Sequence, residues 1–339
     1  MWLYNIDGKE KKTIILLIHP NPDGDALGSS LALYFYLKKL QHDVYLISPT
    51  EYSEFFRWLP GNDNIIIFSD KTESFIKKKV SNSDYLFVID FNNLSRLYRI
   101  KNMKYLFSNY KGKTILIDHH PFPSKFDFML FDYTVSATSI LIYRLIYNMN
   151  NLDKIDKNIA TCLYVGIITD TGFFRFPSVT SETHFIAIKL LDQGIDIQNI
   201  YFHLKVTYNI SKLKILSQAL NKIQIIDQYR TAYTSINESD MRYINSYNKS
   251  DTDGIVTYGL GIKNIVFSVF FFEEYKTSTI KISFRSIGTF DVNKFARTHF
   301  QGGGHKNAAG GISYTSLSES IDYFLNIIKK YKENLTLSI

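Results

Sequence analysis

The sequence has few of the features that mark a secreted or membrane protein. It contains one cysteine, Cys162, which excludes an internal disulfide framework and a cysteine-rich metal site. No apolar run approaches the roughly 20 residues of a membrane-spanning helix, and the N-terminus has no basic start followed by an apolar stretch. No internal repeat is present, which excludes a repeat architecture. These absences predict a globular protein of the reducing cytoplasm with no membrane partner.

The charge balance is basic. The formal net charge is +7, which favours anionic substrates. The chain is also rich in Lys, Ile, Asn, Phe and Tyr, a bias typical of an AT-rich genome. Net charge by itself therefore does not establish a nucleic-acid partner.

The length of 339 residues predicts two domains. In the first half, short apolar segments alternate with helical patterns, which indicates βαβ units and a largely parallel sheet. The predicted strands are 13–19, 44–47, 65–68, 85–89 and 114–117. The predicted helices are 26–40, 75–80, 94–97, 137–147, 157–168 and 181–191.

The pattern changes after residue 193. A polar, mostly helical segment over 194–222 predicts a helical linker. A second set of strands follows, and then one helix before and one helix after a glycine-rich loop. The strands are 223–226, 230–234, 265–272 and 279–285, and the helices are 292–298 and 317–331. The predicted fold is α/β, with a parallel-sheet domain flanked by helices over 1–193 and a smaller α/β domain over 223–339.

Ionisable residues follow three of the predicted strands. His19, Asp23 and Asp25 lie in a turn after the first strand, Asp90 follows the strand 85–89, and Asp118-His119-His120 ends the strand 114–117. Ligands of open α/β sheets bind at the carboxyl ends of strands. Each group has a simpler explanation as a helix cap or a solvated loop. Asp170 ends an apolar helix and needs a partner, because burying an unpaired carboxylate is costly.

Taken together, the residues favour a site for two cations. The set contains four carboxylates and two imidazoles, whose charge balances two divalent ions: His19, Asp23, Asp25, Asp90, His119 and Asp170. Oxygen-rich ligands with some imidazole suit Mn²⁺ or Mg²⁺. Two such ions lower the pKa of a shared water and hold phosphate oxygens in line, which is the chemistry of phosphoryl hydrolysis.

The same motifs resemble the DHH phosphoesterase superfamily. They are H-x-N-P-D-x-D-A-x-G-S, a strand-end Asp, D-H-H-P and a late G-x-x-x-D, over residues 14–171. The segment 302–311, GGGHKNAAGG after Gln301, resembles the signature loop of the DHH-associated C-terminal domain, and 282–286 resembles its substrate-facing strand. Within the superfamily, the chain is most similar to the stand-alone bacterial bifunctional oligoribonucleases and phosphoadenosine-phosphate phosphatases.

The resemblance implies a role for each site residue. His19 and Asp23 would bind one metal, with Asp170 completing its ligands. Asp25 and His119 would bind the other metal, and Asp90 would bridge the two. His120 would face the scissile phosphate. Asp118 would orient the metal ligands without binding a metal itself. Two divalent cations are implied, Mn²⁺ first, with Mg²⁺ or Co²⁺ as alternatives. The implied substrate-binding residues are Arg285, Ser286, Gly303, Gly304 and His305.

Two details of the residues bear on these roles. The backbone N–H groups of a glycine-rich loop can bind an anion, although a tight strand connection explains the glycines equally well. Asn92 stands where relatives often have a small hydroxyl residue, two positions after the strand-end Asp. This departure puts the detail of that loop in doubt.

The expected activity is metal-dependent hydrolysis of short oligoribonucleotides (nanoRNA), like a 3′–5′ exoribonuclease, and of 3′-phosphoadenosine 5′-phosphate. The alternative substrate is a cyclic dinucleotide such as c-di-AMP, or its linear product. A non-catalytic nucleotide-binding module is the alternative of another class, and the complete ligand set argues against it. Substrate length, the physiological metal and whether the chain forms a homodimer stay open.

Overall fold

A computed structural model describes residues 6–7, 10–97, 100, 103–107, 110–206, 210–242, 244, 249–274 and 278–338. The chain divides into two compact units, Met1–Thr207 and Tyr208–Ile339. Each unit contains one six-stranded sheet with its own apolar core. The predicted α/β class, with a parallel sheet first and a second sheet after it, is confirmed.

The first sheet is parallel throughout, in the order β3-β2-β1-β4-β5-β6. Its strands are β1 Thr13–Ile18, β2 Asp43–Ser48, β3 Ile65–Ile67, β4 Tyr85–Ile89, β5 Lys113–Asp118 and β6 Phe128–Phe131. Alternate residues of β1 enter different cores, with Ile14 and Leu16 on one face and Ile15 and Leu17 on the other. The central strands read as continuous apolar runs because helices cover both faces.

Seven α-helices accompany this sheet in the described part of the first unit. They are α1 Gly24–Lys39, α2 Glu73–Ser81, α3 Met103–Phe107, α4 Thr138–Asn148, α5 Lys157–Asp170, α6 Ser181–Leu191 and α7 Ile197–Tyr201. Helix α1 begins where the Asp23 carboxylate accepts hydrogen bonds from the amides of Asp25 and Ala26. It packs closely on α5, as the space at Gly28 shows. A Cβ added there would lie only 2.4 Å from the Cys162 carbonyl oxygen.

Three features of the first unit differ from the prediction. Helix α3 was not expected from the sequence. Strand β6 was not expected, because it is a short edge strand whose residues are only partly buried and whose apolar pattern is weak. The predicted helix at 94–97 is a single 3₁₀ turn, Leu94–Leu97. The five expected strands lie within one or two residues of their predicted bounds.

The second sheet has the order β11-β12-β10-β9-β8-β7. Only β8 and β9 pair in parallel among its neighbouring strands in the described residues. Its strands are β7 Gln224–Ile226, β8 Thr231–Ile236, β9 Phe267–Glu274, β10 Thr279–Ser286, β11 Gly303–His305 and β12 Ala308–Ser313. The helices of this unit are α8 Ile210–Asn221, α9 Glu238–Met241, α10 Thr257–Leu260, α11 Val292–His299, α12 Leu317–Ile328 and α13 Lys332–Thr336.

The glycine-rich segment is a hairpin rather than an open loop. Gly303–His305 forms the edge strand β11 and pairs antiparallel with Ala308–Ala309-Gly310 of β12. Glycine is a poor strand former, so its pattern did not predict these two strands. Backbone pairing with β10 on the other side of β12 decides the conformation.

Within residues 194–222, predicted as a helical linker, the structure describes two α-helices, α7 and α8, which belong to different units. Helix α7 belongs to the first unit and α8 to the second. Ile215 and Ala219 of α8 are buried in a cluster with Ile236 and Phe270 of the second sheet. Among the described residues, no helix combines the length and apolar character that crossing a membrane requires.

Candidate metal centre

The ionisable residues of the first unit gather where the strand order of the sheet reverses. The first strand, β1, lies between β2 and β4, so the chain adds strands on one side of β1 as far as β3 and on its other side from β4 onward. His19 follows β1, Asp90 follows β4, and His119 and His120 follow β5. In open α/β sheets the crevice at this point is the usual place for a ligand.

Asp90 leaves its strand through an unusual backbone conformation. Its φ is 63°, in the left-handed region that Asp tolerates better than most residues. Its amide still donates to the Ile117 carbonyl oxygen at 3.0 Å. A residue held in this region at the end of a buried strand is typical of a functional site.

Asp90 stands between two groups of possible metal ligands. In the first group, His19 Nε2 lies 3.6 Å from Asp90 Oδ2 and 3.7 Å from Asp23 Oδ1. In the second, the ligand atoms of Asp25, His119 and Asp170 lie within 4.8 Å of one another. His119 Nε2 is 3.1 Å from Asp170 Oδ2 and 3.7 Å from Asp90 Oδ1.

The six predicted ligands therefore meet at one place, in a grouping that differs in one respect from the one implied by resemblance. The resemblance assigns Asp170 to the metal of His19 and Asp23. The structure groups Asp170 with Asp25 and His119. Asp170 ends α5 while Asp25 lies in the first turn of α1, so the packing of these two helices brings the carboxylates together.

His19 and His119 both direct Nε2 towards the carboxylates of the cluster. His19 Nδ1 lies 2.9 Å from the Pro20 carbonyl oxygen, and His119 Nδ1 lies 3.2 Å from that of Val135. A carbonyl oxygen only accepts, so each Nδ1 carries a proton, and Nε2 is the nitrogen that would offer a lone pair once the ring is neutral. Metal-binding histidines are commonly oriented in this way.

Two residues that the sequence did not single out hold the acidic ligands. Asp25 accepts hydrogen bonds from the amides of Thr138 at 2.5 Å and Ser139 at 3.0 Å, and from Ser139 Oγ at 2.6 Å. Thr138 Oγ1 also donates to Asp90 Oδ1 at 2.8 Å. The residue that precedes α4 is Ala137, which has no side chain to cap the helix, so Asp25 satisfies its first amides.

Gly166 explains the glycine of the G-x-x-x-D motif. A Cβ at this position would lie 2.0 Å from Ser139 Oγ and 2.7 Å from Asp25 Oδ1. Any larger residue would therefore push α5 away from Asp25 and its hydrogen-bond donor. The motif combines a ligand, Asp170, with the glycine that lets α5 approach the site.

The electrostatics of the cluster reflect an excess of negative charge. Burial opposes protonation of His19, yet the carboxylates of Asp23 and Asp90 raise its pKa to about 10. Burial likewise opposes protonation of His119, and Asp170 foremost raises its pKa to about 11. Burial and the neighbouring carboxylates raise the pKa of Asp25 well above its ordinary value. The negative charge of the cluster thus stabilises protons on its residues, and it would stabilise bound cations in the same way.

His120 and Asp118 form the third part of the site. His120 Nδ1 lies 2.8 Å from Asp118 Oδ1 and 3.8 Å from Asp90 Oδ1. Asp118 is completely buried, and its Oδ2 has no hydrogen-bond partner among the described residues. A buried carboxylate with one oxygen unpaired requires positive charge nearby.

The residues fit divalent cations. Four carboxylates and two correctly oriented imidazoles converge with their ligand atoms in overlapping groups. Oxygen-dominated ligands without thiolate suit Mn²⁺ or Mg²⁺ rather than a softer metal. The unpaired Asp118 oxygen and the raised pKa of Asp25 both indicate that the buried charge here is incompletely balanced by the protein.

Asn92 has a structural role in the same region. Its side-chain Nδ2 donates to the Pro121 carbonyl oxygen at 2.7 Å, and its backbone carbonyl oxygen accepts from the Ser124 amide at 2.8 Å. These contacts join the loop after Asp90 to the loop after His120. Asn92, which departs from the pattern of the relatives, therefore makes a definite side-chain contact with Pro121.

The predicted substrate-binding residues of the second unit lie on neighbouring strands. Arg285 of β10 and His305 of β11 both pair with Ala308 of β12, one on each side. Directly paired residues have side chains on the same face of a sheet. The Arg285 guanidinium is largely buried, which lowers its pKa, and donates to the Phe284 carbonyl oxygen at 2.9 Å.

The other predicted residues of the second unit make internal contacts. Ser286 Oγ donates to the Phe290 carbonyl oxygen at 2.7 Å. The Gly304 amide donates to Asn293 Oδ1 at 3.0 Å, so this N–H is used within the unit. Arg297 was not predicted, but its Nε would lie 3.6 Å from a Cβ on Gly303 and bonds Asn293 Oδ1 at 3.1 Å. A Cβ at Gly303 would be in ordinary van der Waals contact with this guanidinium.

The first unit is an α/β domain with a cluster of carboxylates and imidazoles, a candidate metal site, at the carboxyl edge of its parallel sheet. Residues 13–167 match the DHH family, N-terminal domain, and residues 232–334 match the DHHA1 domain. The solved structure of an exopolyphosphatase-related protein from Bacteroides fragilis is 35% identical, with a TM-score of 0.92, and the match covers 98% of this chain and 96% of that one. The chain belongs to the DHH family.

Two further proteins are similar to this chain. The probable bifunctional oligoribonuclease and PAP phosphatase NrnA of Streptococcus mutans is 29% identical over 323 residues, 93% of this chain and 94% of that protein. The structure of RecJ from Thermus thermophilus in complex with Mn²⁺ is 12% identical, with a TM-score of 0.51, over 98% of this chain and 54% of that chain. The second likeness shows a shared fold.

Proposed function

We propose that this protein is a metal-dependent phosphoesterase that hydrolyses short oligoribonucleotides and removes the 3′-phosphate of 3′-phosphoadenosine 5′-phosphate. The observation that carries the proposal is the position of Asp90 at the edge of the parallel sheet, with its Oδ2 3.6 Å from His19 Nε2 and its Oδ1 3.7 Å from His119 Nε2. The similarity to the NrnA protein of Streptococcus mutans supports the choice of substrates.

The two groups suggest which residues would hold each cation. His19 and Asp23 would hold one cation, and Asp25, His119 and Asp170 would hold the other. Asp90 would reach both, since it belongs to the first group and its Oδ1 lies 3.7 Å from His119 Nε2 of the second. Bound there, two Mn²⁺ or Mg²⁺ ions would activate water and neutralise phosphate charge. The protein keeps its ligands in place by the α4 amides on Asp25 and by the carbonyl oxygens on the Nδ1 atoms of His19 and His119.

His120 would bind a phosphate oxygen. Its hydrogen bond to the buried Asp118 fixes the orientation of the ring beside the phosphate. Asp118 is therefore a positioning residue, and His120 is the residue that touches the substrate. In the second unit, Arg285 and His305 would bind a further phosphate of the nucleotide, since both lie on one face of the sheet.

A substrate panel tests the proposal. Purified protein is incubated with Mn²⁺ and with a linear diadenylate, an RNA pentamer, 3′-phosphoadenosine 5′-phosphate or c-di-AMP. We expect the linear dinucleotide and 3′-phosphoadenosine 5′-phosphate to be hydrolysed fastest. Faster turnover of c-di-AMP would favour the alternative substrate, and binding without turnover of any member would favour a non-catalytic nucleotide-binding module.

Chelation and one pair of variants test the role of the metal. We expect metal-stripped protein in excess chelator to lose activity and to regain it with Mn²⁺. Asp90→Asn should be inactive while remaining folded, because the amide keeps the size of the carboxylate. Asp127→Asn, a control at the first sheet away from the ligands, should retain activity. Full hydrolysis in chelator would contradict the two-metal proposal.

The proposed substrates also support a cytoplasmic location, since short RNA and 3′-phosphoadenosine 5′-phosphate are products of intracellular metabolism. The single cysteine is buried and unpaired, as in a reducing compartment. Light scattering of the same preparation tests whether the active form is a homodimer.

A further inference from the structure

Phe122 lies two residues after His120 and is almost fully in solvent. Its side chain is 93% exposed, more than any other large hydrophobic side chain in the described part of the chain. Scattered exposed apolar residues are common, but an almost completely exposed Phe so close to an active site is not explained by packing.

The backbone holds this ring out at a definite place. Phe122 has a φ of 62°, in the left-handed region that a bulky residue rarely adopts. Pro121 and Pro123 flank it and restrict the chain on both sides. The Pro121 carbonyl oxygen accepts from Asn92 Nδ2 at 2.7 Å, and the Ser124 amide donates to the Asn92 carbonyl oxygen at 2.8 Å.

The loop is thereby tied to the segment that follows Asp90. Two residues of chain reach at most about 7 Å, so the Phe122 backbone stays near His120. A rigid aromatic ring beside a phosphate-binding group has the arrangement that proteins use to stack a base while its phosphate is held. Every base has a flat face, so such a contact accepts any sequence.

We propose that Phe122 is a stacking platform for the base of the nucleotide that carries the scissile phosphate. The inference rests on the proposed function and adds to it a subsite for a nucleobase. It assigns to the first unit both the chemistry and part of the substrate recognition. It also explains why a strained, solvent-exposed Phe is placed between two prolines.

The test compares two substrates and three variants in Mn²⁺. One substrate is diadenylate, and the other is the same molecule with an abasic ribose at the nucleotide that carries the scissile phosphate. Phe122→Asn should lower kcat/KM for diadenylate about tenfold, which is the usual effect of losing one stacked base, and should leave the abasic substrate nearly unchanged. Asn is chosen because it tolerates the left-handed backbone.

Phe122→Trp should retain or raise the activity on diadenylate, since indole offers a larger face. Phe75→Leu is the matched control, because Phe75 is 46% exposed and its ring contacts Tyr45 on β2 rather than the metal cluster. It should behave as the wild type on both substrates.

A binding measurement gives a readout that does not depend on turnover. A dinucleotide with 2-aminopurine at the tested position is titrated into His120→Asn protein, with and without Phe122→Asn. Stacking should quench the 2-aminopurine fluorescence only when Phe122 is present. Equal losses on both substrates, or quenching that persists in Phe122→Asn, would overturn the platform, whereas failure of the wild type on diadenylate would overturn the proposed function instead.

Discussion

At the scale of single residues, Thr138 connects the two acidic groups of the centre. Its amide binds Asp25 and its hydroxyl binds Asp90, so one residue at the start of α4 sets the positions of carboxylates from two different elements. Its side chain is completely buried, which protects both hydrogen bonds from water.

We predict that Thr138→Val weakens Mn²⁺ binding about tenfold, because residues that hold metal ligands usually contribute that much to affinity. Valine keeps the shape but leaves Asp90 Oδ1 without its hydroxyl donor. Thr138→Ser should restore binding. Calorimetric titration with Mn²⁺ measures the dissociation constant without requiring turnover.

Thr161→Val is the control for this exchange. Thr161 is also a buried threonine, and its hydroxyl donates to the Lys157 carbonyl oxygen within α5. Its replacement should leave the Mn²⁺ dissociation constant unchanged. If Thr161→Val weakened binding as much as Thr138→Val, the effect would be one of general stability.

At the scale of elements, the contact of α1 with α5 positions the ligands that these helices carry. Gly28 allows the contact, since an added Cβ would meet backbone atoms of Cys162 and Gly166 at 2.4 and 2.9 Å. Backbone atoms cannot move aside as side chains do, so the helices themselves would have to separate.

We predict that Gly28→Ala lowers the free energy of unfolding of the first unit by about 1–3 kcal/mol through overpacking. Helix propensity alone predicts the opposite sign, because alanine favours a helix more than glycine does. Urea denaturation followed by tryptophan fluorescence reports this unit, since Trp2 and Trp58 both precede residue 207.

The exposed Lys38→Ala in the same helix is the control, and it should change the unfolding free energy little. An unchanged or increased stability of Gly28→Ala would show that the two helices tolerate a wider separation.

The junction of β5 and β6 contains a carboxylate that makes stability depend on pH. Asp127 accepts hydrogen bonds from the Thr114 amide at 2.9 Å and from its hydroxyl at 2.8 Å. These bonds, with that of Lys113, lower the pKa of Asp127 from 3.8 to about 2. The folded state thus favours the ionised form, and its contribution is present above the unfolded pKa and lost as the pH falls from about 4 towards 2.

We predict that Asp127→Asn unfolds more easily than the wild type at neutral pH and that the difference shrinks between pH 4 and pH 2. The size of the difference is modest, because the carboxylate is partly exposed to solvent. Tryptophan-detected denaturation at several pH values measures it. Asp63→Asn, at another exposed carboxyl of this unit, serves as control, and a difference that stayed constant down to pH 2 would contradict the assignment.

At the scale of the whole molecule, the metal ligands and the other phosphate-binding candidates belong to different units. All six proposed ligands lie in Met1–Thr207, and Arg285 and His305 lie in Tyr208–Ile339. A nucleotide presents a sugar, a base and often a second phosphate beside the one that reacts. Binding energy from groups of a substrate that do not react can orient the group that does.

We predict that His305→Ala lowers kcat/KM for 3′-phosphoadenosine 5′-phosphate at least tenfold, since hydrogen bonds to charged groups are among the stronger ones. Hydrolysis of bis(p-nitrophenyl) phosphate, which has no second phosphate, should change little. Steady-state kinetics on both substrates and a Mn²⁺ titration make the comparison, with the exposed Lys294→Ala as control for the loss of a basic side chain. Equal losses on both substrates would refute a role in binding the second phosphate.

The parallel sheet and the candidate metal ligands could be predicted from local features of the sequence. Strands β1, β4 and β5 are nearly continuous apolar runs, and each is followed directly by a polar residue. Their parallel order then brings His19, Asp90 and His119 to one edge, because parallel strands all end on the same side of a sheet. Periodicity and strand-end position are local signals, which a sequence displays in full.

The way in which the candidate ligands are held and grouped depends on contacts formed in the folded chain. Asp170 joins Asp25 because two glycines let α1 and α5 touch, and Asp25 receives its hydrogen bonds from Thr138 and Ser139, more than a hundred positions away. The hairpin of β11 and β12 forms in the same way, through pairing with β10 rather than through the preferences of its glycines. These outcomes depend on which surfaces meet in the folded chain, and contacts between distant segments leave no periodic pattern in the sequence of either one.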